Sequence, residues 1–118
     1  MNEAPPAILL VAHDLMWLSK VRSAAEASGR AVRVPQDLDA LRTLIAEGVA
    51  DRVLVDLHHP RIDPLAAIAA AKEADGVRVV AYGSHVDVER LQAALQAGAD
   101  AAMPNSEMQR RLPAIVGG

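Results

Sequence analysis

Apolar and polar positions follow two rhythms along this chain. Short apolar runs, AILLVA (7–12), AVRV (31–34), RVLVD (52–56), VRVVAY (77–82) and DAAM (100–103), are too brief for helices and are bounded by loop residues, so they read as strands. Between them the apolar positions recur at helical spacing. LMWLSKVRSAAEAS (15–28) sets Leu18, Val21, Ala25 and Ser28 on one face and stops at Gly29. DLDALRTLIAE (37–47) carries the stripe Leu38, Leu41, Leu44 and Ile45 and stops at Gly48. Asp63-Pro64 is an N-cap with proline in the first turn, opening a helix through LAAIAAAKEA. Asp87 caps VERLQAALQA, which Gly98 ends. Ser106 begins a last helix in which Pro113 is expected to kink or weaken the end.

Strands that alternate with helices over short connections imply a parallel sheet covered on both faces. With right-handed crossovers, the expected fold is α/β: a doubly wound, five-stranded parallel sheet of flavodoxin-like order 2-1-3-4-5. The chain is read as one domain, residues 1–118, with residues 1–6 as a flexible N-terminal tail. In such sheets, ligands bind at the carboxyl ends of the strands beside the switch point. Ala12, His13 and Asp14 stand there after the first strand; Asp56, Leu57 and His58 follow the third. Gly83, Ser84 and His85 follow the fourth, and Asn105 and Ser106 the fifth.

Composition narrows the function. There is no Phe, one Trp and one Tyr, yet 52% of residues are hydrophobic, so the core has to be packed by Ala, Val, Leu and Ile. A net charge of -3 argues against nucleic-acid binding, which uses a basic face. Cysteine is absent, which excludes disulfides, thiolate metal sites and a cysteine nucleophile. MNEAPP has neither the basic nor the apolar part of a signal peptide, and no apolar run reaches membrane-spanning length, so a cytoplasmic location is expected. No P-loop, GxGxxG or GxSxG element occurs. Neighbouring Ser84, His85 and Asp87 on one loop do not make a triad. DLHHPR begins like a cobalamin-binding motif, but Arg61 replaces its glycine and the stretch follows the wrong strand.

VLVDLHHP (53–60) and LQAALQAGADAAMPNS (91–106) resemble two segments of the receiver domain of bacterial response regulators, the CheY-like family, and the resemblance covers nearly the whole chain. It implies that Asp56 stands at the phosphate-accepting position. In that family an acid pair after strand one holds Mg²⁺, and a hydroxyl after strand four and a lysine after strand five meet the phosphoryl oxygens. Here the acid pair maps onto Ala12 and His13, and the hydroxyl onto Gly83, with Ser84 one residue away. The lysine maps onto Asn105, the proline after it onto Ser106, and the aromatic switch residue onto Ala102. Mg²⁺ wants oxygen ligands in octahedral geometry, and Ala12 and His13 supply none. DLMWLSKVRSAA together with YGSHVD resembles an atypical, pseudo-receiver subgroup.

The expected role is therefore a degenerate receiver of two-component phosphorelay signalling. It is a phosphorylation-independent interaction module, not an enzyme, with no cofactor beyond at most weakly held Mg²⁺ and with Asp56 a vestigial acceptor. Its partner is another signalling protein, met through the fourth helix with strand five or through the loops around the site; the same faces serve a homodimer. One alternative is a slow Mg²⁺-dependent phosphoacceptor at Asp56, with Asp14 and Ser84 compensating for lost groups. Another is a metal or anion sensor built on the histidines, with His13, Asp14, Asp56, His58 and His85 as candidate metal ligands. The plain alternative is a set of loop histidines, one of them bonded to Asp56. A proton-sensitive histidine–carboxylate pair lies between these readings. Trp17 is read as a packing or partial-surface residue and not a binding anchor, with Met16 and Leu18 forming a small exposed patch.

Overall fold

The alternation of apolar runs and helical stripes resolves into one sheet between two helical layers. The computed structural model describes residues 4–117. In chain order the elements are β1 (Ala7–Val11), α1 (Leu15–Glu26), β2 (Val32–Arg33), α2 (Leu38–Ala46), β3 (Ala50–Asp56), α3 (Pro64–Ala71), β4 (Arg78–Gly83), α4 (Val88–Gln96), β5 (Ala101–Pro104) and α5 (Asn105–Gly117). The strands pair in parallel in the order β2-β1-β3-β4-β5, as expected. Of the expected tail, the first three residues lie outside those described; Pro6 is tied down, its carbonyl accepting from Arg30 Nε at 3.0 Å.

Strand residues point alternately to the two faces. Leu9, Val11, Val53, Val55, Val79 and Ala81 face α2, α3 and α4. Ile8, Leu10, Leu54, Val80, Tyr82 and Met103 face α1 and α5. Alanine does much of the filling: Ala67, Ala70 and Ala71 of α3 are buried beside Ile68, so that helix packs on the sheet with little bulk between them. The other face holds the two large aromatics. The rings of Trp17 and Tyr82 lie 4.5 Å apart at 42°, and Lys20 Nζ stands 5.7 Å from the Trp17 ring while donating to Gln109 of α5 at 2.7 Å. Trp17 is thus a core residue, and Leu15 and Met16 form the exposed patch instead, at 78% and 51% exposure.

Helix ends follow the sequence signals. Asp37, Asp63 and Asp87 accept first-turn N–H groups. Gly48 and Gly98 take φ of 70° and 115°, conformations that side chains with a Cβ resist. After Gly98, Ala99 is buried and Asp100 Oδ2 accepts from Val79 N–H at 2.8 Å and Lys72 Nζ at 3.0 Å, so the AGAD stretch fastens α4's end to β4 and α3. Three helix bounds are corrected. The first helix ends at Glu26, leaving Ser28 exposed beyond it. The third helix ends at Ala71, short of the expected Ala74, and α5 begins at Asn105, one residue before Ser106. Helix α5 runs through Pro113 to Gly117, with Leu112 and Val116 buried on either side. The carbonyls of that last turn are met from outside the helix: Val116 O accepts from Arg30 Nη1 at 2.7 Å and Ile115 O from Arg52 Nε at 3.2 Å. Asp51 pairs with both arginines.

Tyr82 carries the one buried side-chain polar atom without a hydrogen-bond partner among the described residues, its hydroxyl. Burial raises the pKa of that hydroxyl, and the carboxylates of Asp56 and Asp14 add to the effect. An unpaired buried hydroxyl costs about 1–3 kcal/mol, partly offset by the packing of its oxygen. Tyr82→Phe is therefore expected to unfold in urea at an equal or higher midpoint, corresponding to a gain of up to about 1 kcal/mol. A loss of more than about 1 kcal/mol would show that the hydroxyl has a partner.

Candidate functional site

The sheet brings the strand ends together in register. Asp56 at the end of β3 lies beside Tyr82 of β4, and Gly83 lies beside Pro104 of β5. Asp56 is half-buried, and the chain after it folds back on its carboxylate: Oδ1 accepts from His58 N–H at 2.8 Å, and the backbone oxygen accepts from His59 N–H at 3.2 Å. Such Asx turns are a frequent use of aspartate at a strand end.

That turn aims the His58 ring across to the next loop. His58 Nε2 accepts from Ser84 N–H at 3.2 Å. An acceptor nitrogen carries no proton, so the geometry assigns this ring the tautomer protonated at Nδ1. Gly83 lies against the ring: a Cβ there would stand 3.2 Å from His58 Nε2 and 3.3 Å from Cδ2. With no side chain at position 83, the imidazole lies across β4 without that tight approach. A second tie runs the other way. Arg90 of α4 donates through Nη1 to Leu57 O at 3.0 Å and is held by Asp87 Oδ2 at 2.7 Å. His58 and Arg90 together fasten the β3–α3 loop to the β4–α4 loop. Ser84's hydroxyl serves its own loop, accepting from Val86 N–H at 3.4 Å.

His59 orders the rest of the β3–α3 loop. Its Nδ1 accepts from both Arg61 N–H and Ile62 N–H at 3.0 Å, which leaves the ring proton on Nε2. Burial lowers the His59 pKa; the Asp56 carboxylate opposes that shift, while His13 and Arg61 reinforce it. His13 approaches His59 edge-on, with centroids 6.2 Å apart.

The positions after β1 hold no acid pair. Ala12 is buried, and His13 is exposed. Asp14 Oδ1 accepts from Met16 N–H at 2.7 Å, so this carboxylate is the N-cap of α1. An aspartate directly before the LMWL run already carried that signal. Asn105 and Ser106 are exposed in the first turn of α5, and His85 is exposed on the β4–α4 loop. The proposed metal set His13, Asp14, Asp56, His58 and His85 is not assembled. Among the described residues, no three His, Asp or Glu side chains are grouped to hold a metal ion. Asp14, Asp56 and His58 are instead engaged in the backbone bonds just described. The i,i+3 spacing of Arg90 from the Asp87 cap is legible in the sequence, but its reach to Leu57 O is not.

Known structures share this architecture. A response regulator from Thermotoga maritima superposes with a TM-score of 0.74 at 19% identity, over 96% of this chain and 98% of that one. An orphan response regulator of H. pylori gives 0.74 at 16% identity, over 98% and 99%. The receiver domain of NtrX from Brucella abortus gives 0.72 at 24% identity, over 89% and 90%. No protein-family model and no curated protein matches the sequence. At these identities the likeness establishes the receiver-type fold. Among the described residues no helix is long and apolar enough to cross a membrane.

The double acceptor role of His59 has a pH consequence. Protonating Nδ1 removes both bonds, and the folded pKa lies below the ordinary 6.5, so the unfolded chain takes up the proton first. The stability that this loop contributes is full above pH 6.5 and is lost as the pH falls through the folded pKa. His59→Asn keeps an acceptor without a titrating ring. Its urea midpoint should fall less between about pH 7.5 and about pH 5 than that of the native protein. Equal falls would count against this role.

Proposed function

We propose that this chain is a degenerate receiver module of two-component signalling, held in one conformation and acting by binding another signalling protein without phosphorylation of Asp56. The observation that carries this reading is the His58 imidazole lying across Gly83 and accepting from Ser84 N–H at 3.2 Å. In a working receiver, as the sequence resemblance implies, a hydroxyl at this place meets the phosphoryl group and couples the two loops. Here a resident side chain makes that coupling, and the glycine at the hydroxyl position leaves room for the ring.

The charge around Asp56 supports the same reading. A phosphoryl group brings negative charge that Mg²⁺ and a lysine neutralise in the family. At the matching positions stand a buried methyl at Ala12, an imidazole at His13 and a neutral amide at Asn105. Asp14, the compensating carboxylate, is already engaged as a cap. The side chains at these positions supply neither a fixed cation nor the pair of carboxylates that holds Mg²⁺ in the family. For partner binding, the exposed apolar residues Val86, Val88 and Leu95, at 76%, 55% and 49% exposure, mark α4 and the loop before it.

The test is an NMR amide titration with Mg²⁺ and beryllofluoride, which together mimic an aspartyl phosphate, on the native protein and on Asp56→Asn. No saturable shift at Asp56, Gly83 or Asn105 is expected. Saturable shifts at those amides, abolished by Asp56→Asn, would replace this reading with that of a slow phosphoacceptor.

A further inference from the structure

We infer that the cleft beside β1 is a binding site for a small phosphorylated organic molecule. The cleft is about 490 Å³, within the usual range for small-molecule sites, and lies between the β1–α1, β2–α2 and β3–α3 loops. It shares Ala12, His13, Asp14 and His59 with the strand-end edge described above, but Asp56, His58 and Gly83 do not line it. It does not rest on the reading proposed for Asp56 and His58.

Three features of its walls point to an anion with an apolar body. Arg22 and Arg61 both line the cleft. Both are exposed, and neither guanidinium has an ion pair or hydrogen bond among the described residues, although Glu26 stands one turn beyond Arg22. Guanidinium groups match phosphate oxygens in charge and in fork geometry. The single carboxylate of the lining, Asp14, has one oxygen committed to Met16 N–H. His13 and His59 complete the polar wall, and the engagement of His59 Nδ1 leaves its Nε2–H as a donor. Leu18, Val34 and Pro35 add apolar surface to the lining, together with Leu15 at 78% exposure.

The charge at this edge is the reverse of a divalent-cation site. Two unpaired guanidinium groups facing one engaged carboxylate favour a dianion over a monoanion and disfavour a metal ion. A phosphate monoester supplies the dianion, and its organic part supplies the surface that Leu15, Leu18, Val34 and Pro35 would cover. Helix α1 begins at Leu15 on the same wall, so its N-terminal end adds to the positive potential.

Phenyl phosphate is the probe, followed by amide chemical shifts at moderate salt. It should bind saturably, with shifts at His13, Leu15, Arg22, Val34 and Arg61. Arg22→Gln and Arg61→Gln should each weaken binding by about tenfold, as loss of a charged hydrogen bond does. Arg110→Gln, an exposed change of equal charge on α5, should leave the affinity unchanged. Inorganic phosphate should bind more weakly than phenyl phosphate, and benzyl alcohol should not bind. The amide spectra of the variants report whether the fold is retained. The inference is overturned by any of three results: no saturable shifts with phenyl phosphate, equal binding of benzyl alcohol or inorganic phosphate, or arginine variants indistinguishable from Arg110→Gln.

Discussion

A parallel sheet covered on both faces leaves its central strands no polar side. β1 is buried at every position from Ala7 to Val11, and β4 from Val79 to Gly83. Polar chemistry is then confined to the strand ends, where the backbone leaves the sheet and the helical layers stop covering it. The burial that stabilises the fold therefore also decides where Asp56, His58 and Ser84 meet. The same constraint explains the one misfit in the core. Tyr82 is the last side chain of β4 before the glycine and the loop, and its hydroxyl lies inside the sheet's cover without a partner.

At that edge the loops are organised around imidazoles. His58 and His59 are adjacent in the chain but do different work with different nitrogens. One accepts through Nε2 from the neighbouring loop, the other through Nδ1 from two N–H groups of its own. Both roles require a neutral ring at the accepting nitrogen, and a lysine or arginine in either place has no lone pair to offer. Glycine at position 83 and histidine at position 58 are complementary, since any Cβ at 83 presses on the ring. Asp56 anchors an Asx turn in this frame, a role that does not need metal.

Opposite ends of the sheet have opposite tasks. At the amino-terminal edge, Arg30 and Arg52 reach the last carbonyls of α5, and Asp51 pairs with both. There the arginines are neutralised and structural. At the carboxyl edge, Arg90 is held by Asp87 and ties two loops, while Arg22 and Arg61 have no partner among the described residues. The distinction among these arginines is one of neighbours, and local sequence does not reveal it: Arg22 has Glu26 at a favourable helical spacing, yet the pair does not form.

The sequence by itself determined the strand and helix order, the caps at Asp63 and Asp87, the stops at Gly48 and Gly98, and hence the sheet order. These rest on local periodicity, backbone conformational preference and the handedness of crossovers, each of which is written in a few consecutive residues. It also placed Asp56, Gly83 and Asn105 on one edge. What only the tertiary structure decided was the use of each polar group there. Asp14 is a cap and not a metal ligand, Trp17 is core, and α5 passes through Pro113 because Leu112 and Val116 are buried on either side of it and its terminal carbonyls are met by Arg30 and Arg52. His58 lies over Gly83 from 25 positions away, a pairing set by register between β3 and β4. Hydrogen bonds and charges act over a few ångströms in space, so their partners are fixed by packing between elements and not by distance along the chain.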